Sequence, residues 1–505
     1  MKTIAQTAVL MSILTLGSKL LGFLREMVMA GLFGANYITD AYVMAQTIPS
    51  IIFAGIFGSI AIAYMPLYSK KIEKEGNNSA NLFTSQILNI LLITSIFSSV
   101  LGIFFSNAIV GIFARGFQGE VAQLTSFYIK VTFSYVVFSS VASILDSYLQ
   151  YKNVFLQQII IGYAQNIIII GVIIISAYTT YYFLIFGLLI GYIIRAILIW
   201  LLANRKEYKY YFKFNIKETL KVILPLTIPV FIGSSFTQIN MFVDKSLASG
   251  LKEGSVAALN YATLLNTMVL ALSVSILTTI VYPKITQAYS LNDNQKLNSI
   301  IQRSFTVIYM IALPFSMGAI LYSKEIVQIV FERGAFNSNA TYLTETAYMY
   351  YSIGLLFMAI NELLIRIYYS KQDMKSPMLF SAVCVFINII LSLIFIKSMG
   401  HNGLALATSI ATISNSVLLY LGIKKHTSIN IIQSKIKIFK ITVAATLSII
   451  ISYIVYLFIN SLFVDKIIIL KLGLTIILAI IIYLILLKIL NIKEITNIKQ
   501  IIFKQ

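Results

Sequence analysis

"SNAIVGIFARGFQ" (residues 106–118) returns, altered but recognisable, as "SKEIVQIVFERGAFN" (323–337). Other stretches repeat at the same spacing. "ILDSYLQYK" (144–152) resembles "INELLIRIYYSK" (360–371), the Gly-Ser at 17–18 recurs at 233–234, and Pro66 answers Pro283. The offsets fall between 216 and 219 residues, so the chain carries an internal duplication. The fold follows from what one copy contains.

Each copy is built of apolar runs. The chain has 505 residues, of which 59% are hydrophobic and only 11% charged, with a mean hydropathy of +0.88. A soluble domain averages about 25% charged. Runs of some twenty apolar residues recur from end to end, and each is long enough for a hydrocarbon core of about 30 Å. Fourteen spans are expected, centred near 18, 53, 93, 136, 166, 192, 234, 268, 310, 355, 387, 412, 450 and 478. One repeat is then six helices. Six is even, so the two halves share one orientation and are expected to be related by an axis along the membrane normal. The expected fold class is an all-α polytopic membrane protein of about 14 transmembrane helices. Residues 1–215 form one six-helix lobe and 216–430 a second, while 431–505 hold two extra helices and a cytoplasmic tail.

Lysine and arginine set the orientation. With the N-terminus inside, 25 of them fall in inner segments, among them the Lys70/Lys71/Lys74 cluster and the runs 205–221 and 424–440, against 7 in outer ones. Both termini are therefore expected in the cytoplasm. The same bias accounts for the net charge of +20, and a nucleic-acid partner is not expected. The first apolar run is too long for a cleaved signal and is expected to stay as the first helix. Trp200 sits at the inner end of span six, as an interfacial anchor does. Cys384 is the single cysteine, which excludes an internal disulfide. His401 and His426 are expected in loops on opposite faces, and no His/Cys metal cluster is present. An enzyme is not expected, because the outer loops are short and hold no paired acids or nucleophile.

Chemistry should reside in the charges inside spans, since these are rare in lipid and face the bundle interior or a wet cavity. "GSKLLGFLREMVMAGLFG" (17–34) holds Lys19, Arg25 and Glu26. Ser18, Gly22 and Arg25 share one helical stripe and Lys19, Phe23 and Glu26 the next. Lys19 and Arg25 differ in depth by roughly 9 Å. Two cations so staggered suit an extended anion such as a pyrophosphate, Arg25 gripping it in bidentate fashion and Lys19 acting as a point charge. The competing account is that both pair with acids such as Asp40 and hold helices together. The duplication favours the ligand, because Ser235 and Met241 stand where the second half would carry these cations.

Asp244 and Lys245 are neighbours on span seven, beyond Pro225 and Pro229, which should kink it. Adjacent helical residues do not face each other, so each needs its own partner. Asp244, with Asn388 and Thr408 as further oxygen ligands, is a candidate site for a monovalent cation. Asp146 and Glu362 are repeat mates at the inner ends of spans four and ten. They are read as gating or structural ion-pair residues with Glu26, Asp40 and Arg366. Lys130 and Arg195 stand alone and are expected to snorkel or pair. In "ARGF" and "ERGAF" the glycine reads as a helix stop and Arg115 or Arg333 as a loop cation.

"SKLLGFLREMVMAGLFGANYITDAYVMAQTIP" (18–49) resembles the opening signature of the MurJ (MviN-like) lipid II flippases. "VDKSLASGLKEGSVAALNYA" (243–262), "FERGAF" (331–336) and "NELLIRIYYSKQDMKSP" (361–377) resemble that family's later signatures, in order along nearly the whole chain. The resemblance implies transport of undecaprenyl-pyrophosphate-linked disaccharide-peptide from the inner to the outer leaflet for peptidoglycan synthesis. It implies a central cationic cavity for the head group and a groove along helices thirteen and fourteen for the lipid tail. It places Lys19 and Arg25 at the family's basic positions in helix one, Glu26 at the neighbouring acid, Asp40 at the Asp of "TDA" and Asp244 at the acid of helix seven. Two family features are missing. No charge follows the proline in "PSIIFAGIFGSIAIAYMP" (49–66), and "YATLLNT" (261–267) has Thr263 and Leu264 where an acid and an Arg often stand.

The expected partners are a lipid-linked sugar-peptide pyrophosphate and membrane lipids, with the protein acting as a monomer in the bacterial cytoplasmic membrane. No cofactor is expected, and a coupling ion or the membrane potential supplies direction. An exporter of another lipid-linked oligosaccharide, or a small-molecule antiporter of the same superfamily, is the alternative. Such exporters typically have twelve helices, so the extra pair argues for a long lipid tail.

Overall fold

The structure is a computed structural model describing residues 4–213, 215–291, 293–426, 431–432, 434–462, 468–492 and 494. Helix is the only regular secondary structure among them. α1 is Ile4–Phe33, and α2, Tyr37–Phe104, is broken at Gly76 (φ 80°, ψ 179°). A straight helix of 68 residues would be about 100 Å long, so the break divides α2 into spans two and three. A short α3 (Ser106–Phe113) precedes α4 (Gly119–Tyr151), α5 (Phe155–Tyr178) and α6 (Phe186–Arg205). The second half repeats this order. α7 is Ile216–Ala248, and span eight is divided into α8 (Ser255–Ser273) and α9 (Ser275–Ser290). α10 (Asn294–Leu321) is followed by a short α11 (Ser323–Phe331), the repeat mate of α3. Span ten is α12 (Ser338–Ile353) and α13 (Leu355–Ser370), bent by 45°. α14 (Lys375–Met399), α15 (His401–His426), α16 (Lys435–Leu462) and α17 (Ile468–Ile489) complete the chain.

All fourteen expected centres fall in helices. By length and apolar composition alone, nine described helices qualify as spans, or ten with the bent pair, α2 being counted once. The described residues are thus those of an all-α, multi-pass membrane protein. Local signals set the helix ends. Gly34, in the left-handed region (φ 73°), stops α1. The Asn36 side chain accepts from the N–H groups of Ile38 and Thr39, and the Thr39 hydroxyl accepts from the Asn36 N–H. This is a reciprocal cap on α2.

The described residues form two compact units. The first comprises Met1–Ala257 with Arg333–Asn337. In it α4 packs on α2 and α6, α5 on α1, and α7 on α2. The α6–α7 linker is fastened to α2: Asn81 Nδ2 donates to Glu207 O, the Tyr211 N–H to Ser85 Oγ, and the Tyr210 hydroxyl to Asn89 Oδ1. Trp200 packs its ring against Tyr208 and Tyr210 of this linker.

The second unit comprises Ala258–Glu332 with Ser338–Gln505. Its core joins α9, α10, α13 and α15 around Ile285, Ile301, Leu363 and Leu419. The extra pair docks through tyrosines, Tyr309 to Thr442 of α16, Tyr322 to Ser452 of α16, and Tyr483 of α17 to Met310 O. The outward sides of the pair carry large apolar residues such as Phe458, Ile469 and Ile477, all exposed. An uncovered surface of this kind is stable only against lipid or a partner.

Two expectations are corrected here. His401 opens α15 and is buried with its ring Nε2 on Leu343 O, and His426 ends the same helix, so neither stands in a loop. Lys471, placed by sequence in an outer loop, belongs to α17, where it is buried and donates to Asn460 Oδ1 at 2.9 Å. Hydropathy alone cut the last span short at this lysine. The basic positions 2, 466, 493, 499 and 504, used for orientation, lie outside the described residues.

Candidate functional site

α1 carries the charges of the first unit on two sides. Its Ser18 stripe faces α5. Tyr163 of α5 donates to Leu14 O, and a Cβ added to Gly162 would lie 3.7 Å from Ser18 Oγ. Arg25, about two turns further on, is half-buried. Its Nη1 donates to Asn166 Oδ1 of α5 at 3.3 Å, while Nε and Nη2 both donate to Glu26 Oε1, at 3.2 and 2.8 Å. Arg25 is therefore paired with its own neighbour, which sequence had placed on the adjacent stripe. A guanidinium is long enough to reach sideways round the helix. Between Ser18 and Arg25 lies open space, since a Cβ added to Gly22 would meet nothing within 4 Å. Lys19 is exposed and makes no ion pair or side-chain hydrogen bond among the described residues.

α2 and α7 bring a third cation. Lys245 donates to Thr47 Oγ1 at 2.8 Å, and the Thr47 hydroxyl in turn donates to Val43 O. Asp244, the neighbour of Lys245, is buried. Sequence reasoning named Lys245 but gave it no role. Its signal was a second intramembrane charge beside Asp244 that required a partner.

Asp40 does something unexpected. The carboxylate is bound by backbone, not by a cation: the N–H of Gly254 donates to one oxygen and that of Ala257 to the other, both at 2.7 Å. An anion at the start of a helix meets its unsatisfied amides and the positive end of its dipole, so Asp40 caps α8. Glu253 answers by accepting the N–H of Tyr37 in the first turn of α2. Two helix starts thus cap one another across 216 residues of sequence.

Glycine permits close approach at this end of α1. The N–H of Ala335 donates to Gly31 O at 2.8 Å, and Gly334, in the left-handed region (φ 58°), has no room for a Cβ against the same carbonyl. The other Arg-Gly turn is placed alike. Gly116 donates to Ser249 Oγ at 3.2 Å and lies against Gly250 too closely for any side chain. The glycines expected as helix stops are also contact points.

The remaining candidates are arranged as pairs. Asp146 Oδ2 accepts from Arg195 Nη2 of α6 at 2.8 Å, and Asp146 Oδ1 from Gln158 at 2.9 Å. Arg195 also donates to Gln165. Glu362, the repeat mate of Asp146, pairs along its own helix with Arg366 at 3.7 Å, and that guanidinium lies over the Tyr282 ring. The two repeat mates have found different partners. In the second unit Asn388 Nδ2 donates to Thr408 Oγ1 at 3.0 Å, and Ser392 reaches Asn388 Oδ1. Asp244, the third member of the candidate cation set, belongs to the first unit. Among the described residues no three His, Cys, Asp or Glu side chains cluster as a metal site.

The arrangement is thus a half-buried guanidinium held by one acid, with open space beside it on α1. It can hold an anion. The family model "Lipid II flippase MurJ" matches residues 29–490. A probable lipid II flippase MurJ of Rickettsia prowazekii (strain Madrid E) is 27% identical over 504 residues, covering 95% of this chain and 96% of that one. One of Rhizobium tropici is 26% identical over 418 residues, covering 80% and 78%. Among solved structures, a lipid II flippase MurJ in an inward closed conformation superposes with a TM-score of 0.84 at 28% identity, covering 96% of this chain and all (100%) of that one. An inward-facing multidrug resistance transporter of the MATE family has a TM-score of 0.68 at 13% identity, covering 81% and 96%, a likeness of fold alone.

Proposed function

The chain belongs to the MurJ family of lipid II flippases, and from that premise we propose how its residues serve the transport. It moves an undecaprenyl-pyrophosphate-linked peptidoglycan precursor from the inner to the outer leaflet of the bacterial cytoplasmic membrane by alternating access. The head group enters from the cytoplasm and its pyrophosphate meets Arg25, with Ser18 and the open space at Gly22 beside it and Lys19 at a second depth. The polyprenyl tail stays in lipid along α16 and α17. Both termini face the cytoplasm, the lobes are 1–215 and 216–430, and the protein works as a monomer without catalytic chemistry, driven by an ion gradient or the membrane potential.

One observation carries this reading. Arg25 lies half-buried in a membrane helix with a single acid on one edge of its fork and open space one turn away. A guanidinium in lipid costs at least about 2.5 kcal/mol. A diphosphate offsets that cost with charge-assisted, bidentate bonds.

Complementation tests it. A host depleted of its own lipid II flippase and supplied with this chain should again expose lipid II on the outer leaflet. Arg25→Ala should abolish exposure at unchanged membrane abundance. Failure of the unsubstituted chain despite confirmed expression would point instead to another lipid-linked oligosaccharide. Normal exposure with both Lys19→Ala and Arg25→Ala would remove the cationic site from the account.

A further inference from the structure

Gly162 of α5 is the floor of a small notch. A Cβ built on it would lie 3.7 Å from Ser18 Oγ of α1 and 3.8 Å from Arg195 Nη1 of α6. Among the described residues these are the only atoms within 4 Å beyond its own stretch of helix. The two groups are thus no more than about 7.5 Å apart, less than three hydrogen bonds of about 2.8 Å laid end to end. Gly162 is buried, while Ser18 and Arg195 are only part-buried, so the floor is covered and the rim accessible. Arg195 has five N–H donors and spends two of them. Nη2 donates to Asp146 Oδ2 at 2.8 Å, and Nη1 to Gln165 Oε1 at 3.1 Å. Nη1, the atom at the notch, keeps its second hydrogen. The Ser18 hydroxyl makes no hydrogen bond among the described residues. The same glycine leads to Arg25. Its carbonyl accepts from Asn166 Nδ2 at 3.0 Å, and Asn166 Oδ1 accepts from Arg25 Nη1 at 3.3 Å. Gly162 and Asn166 stand one turn apart, about 6 Å along α5.

We propose that the notch over Gly162 is a second phosphoryl subsite, in which Ser18 Oγ and Arg195 Nη1 hold one phosphate of the diphosphate while Arg25 holds the other. The inference rests on the reading that Arg25 meets the pyrophosphate. A gap of under three hydrogen-bond lengths is bridged by one phosphoryl group that takes a bond from each side. An anion with two phosphoryl groups covers the further step of about 6 Å from Gly162 to Asn166, whereas a single phosphate occupies one end of it. Asp146 fixes the guanidinium without occupying it. The carboxylate holds the Nη2 side and is itself bound by Gln158 at 2.9 Å, which leaves Nη1 toward the notch. The duplication sets Arg195 apart as it does Arg25. At offsets of 216 to 219 residues Arg195 answers to "ATIS" (411–414), which carries no charge. A cation that only fastened helices would have the same task in both copies.

The test is equilibrium binding of undecaprenyl pyrophosphate and of undecaprenyl phosphate to the full chain in lipid nanodiscs. Gly162→Ala fills the notch at ordinary contact distance and replaces glycine by the best helix former, so it should keep or raise the melting temperature. It should weaken diphosphate binding about tenfold, the worth of one charge-assisted bond. Monophosphate binding should change by less than about threefold, since Arg25 still holds a single phosphate. Asp146→Asn/Arg195→Gln removes both charges and keeps a polar pair, and it should act like Gly162→Ala. Asp146→Asn alone leaves Arg195 at the notch and should bind the diphosphate at least as tightly as the unsubstituted chain. Equal losses for the two lipids overturn the proposal, as does diphosphate binding unchanged in Gly162→Ala. A tenfold loss of diphosphate binding in Asp146→Asn alone also overturns it, because the pair then serves only to fasten α4 to α6. If the charge variants do not fold, Gly162→Ala decides alone, since it leaves every charge in place. Arg25→Ala is the separate control. Were it to bind undecaprenyl pyrophosphate normally, the head-group reading itself would fail and the subsite with it. A loss in Arg25→Ala beside normal binding in Gly162→Ala would end the subsite only.

Discussion

Two glycines show what a missing side chain does in opposite ways. Gly22 lies beside open space, so a methyl group there meets nothing and replaces a poor helix former with the best one. Gly22→Ala should therefore raise thermal stability in detergent by up to about 1 kcal/mol and preserve transport. Gly22→Trp should keep the melting temperature close to that of the unsubstituted chain and block lipid II exposure, because the indole fills the space the ligand needs. A Gly22→Trp chain that transports normally would show that this space is not part of the path. Gly334 is the reverse case. Its backbone is left-handed and its Cα faces the Gly31 carbonyl without a gap. Gly334→Ala should lower stability by more than about 1 kcal/mol from backbone strain alone, with displacement of the carbonyl added, read as a fall in melting temperature.

At the scale of helices, the pair Asp146–Arg195 joins α4 to α6. Asp146→Asn and Arg195→Gln should each destabilise the first unit, and the double variant should lose less than the sum. The difference, measured by thermal denaturation, should be about 0.5–3 kcal/mol, as for other contacting pairs. A coupling near zero would reduce the pair to a crystallographic-style surface contact of no weight. This pair also marks the limit of sequence reading. Hydropathy is a local property, so the expected span centres all fell in helices, and the duplication was legible as well. Asp146 and Arg195 were both recognised as intramembrane charges, yet their partnership depends on how α4 and α6 are rotated about their axes, which no local pattern encodes. The same holds for Asp40. Its carboxylate was legible as a buried acid, but its partners are the amides of Gly254 and Ala257, and backbone amides leave no residue-type signature to find. Lys471 was lost for a different reason. A lysine near the end of an apolar run reads as a loop charge unless a polar neighbour such as Asn460 is known to receive it.

For the whole molecule, the proposed orientation has the α2 break inside and the Arg-Gly turns outside. This can be checked on intact cells. With Cys384 replaced by alanine, a single cysteine at Ser79 should resist a membrane-impermeant maleimide until the membrane is opened, while one at Gln118 should react at once. The converse pattern would invert the topology and with it the direction of transport.

The segment Arg333–Asn337 belongs to the first unit although the chain between Ala257 and Arg333 belongs to the second. This has a consequence for biosynthesis. The amide that engages Gly31 is carried by Ala335, so this end of α1 lacks that partner until ribosomes have added roughly 80 residues beyond Ala257, about 4 to 16 s at ordinary elongation rates. The first unit cannot be finished as a nascent domain and then left behind. It is inserted early and completed late, and the amide that completes it comes from the second copy of the duplication.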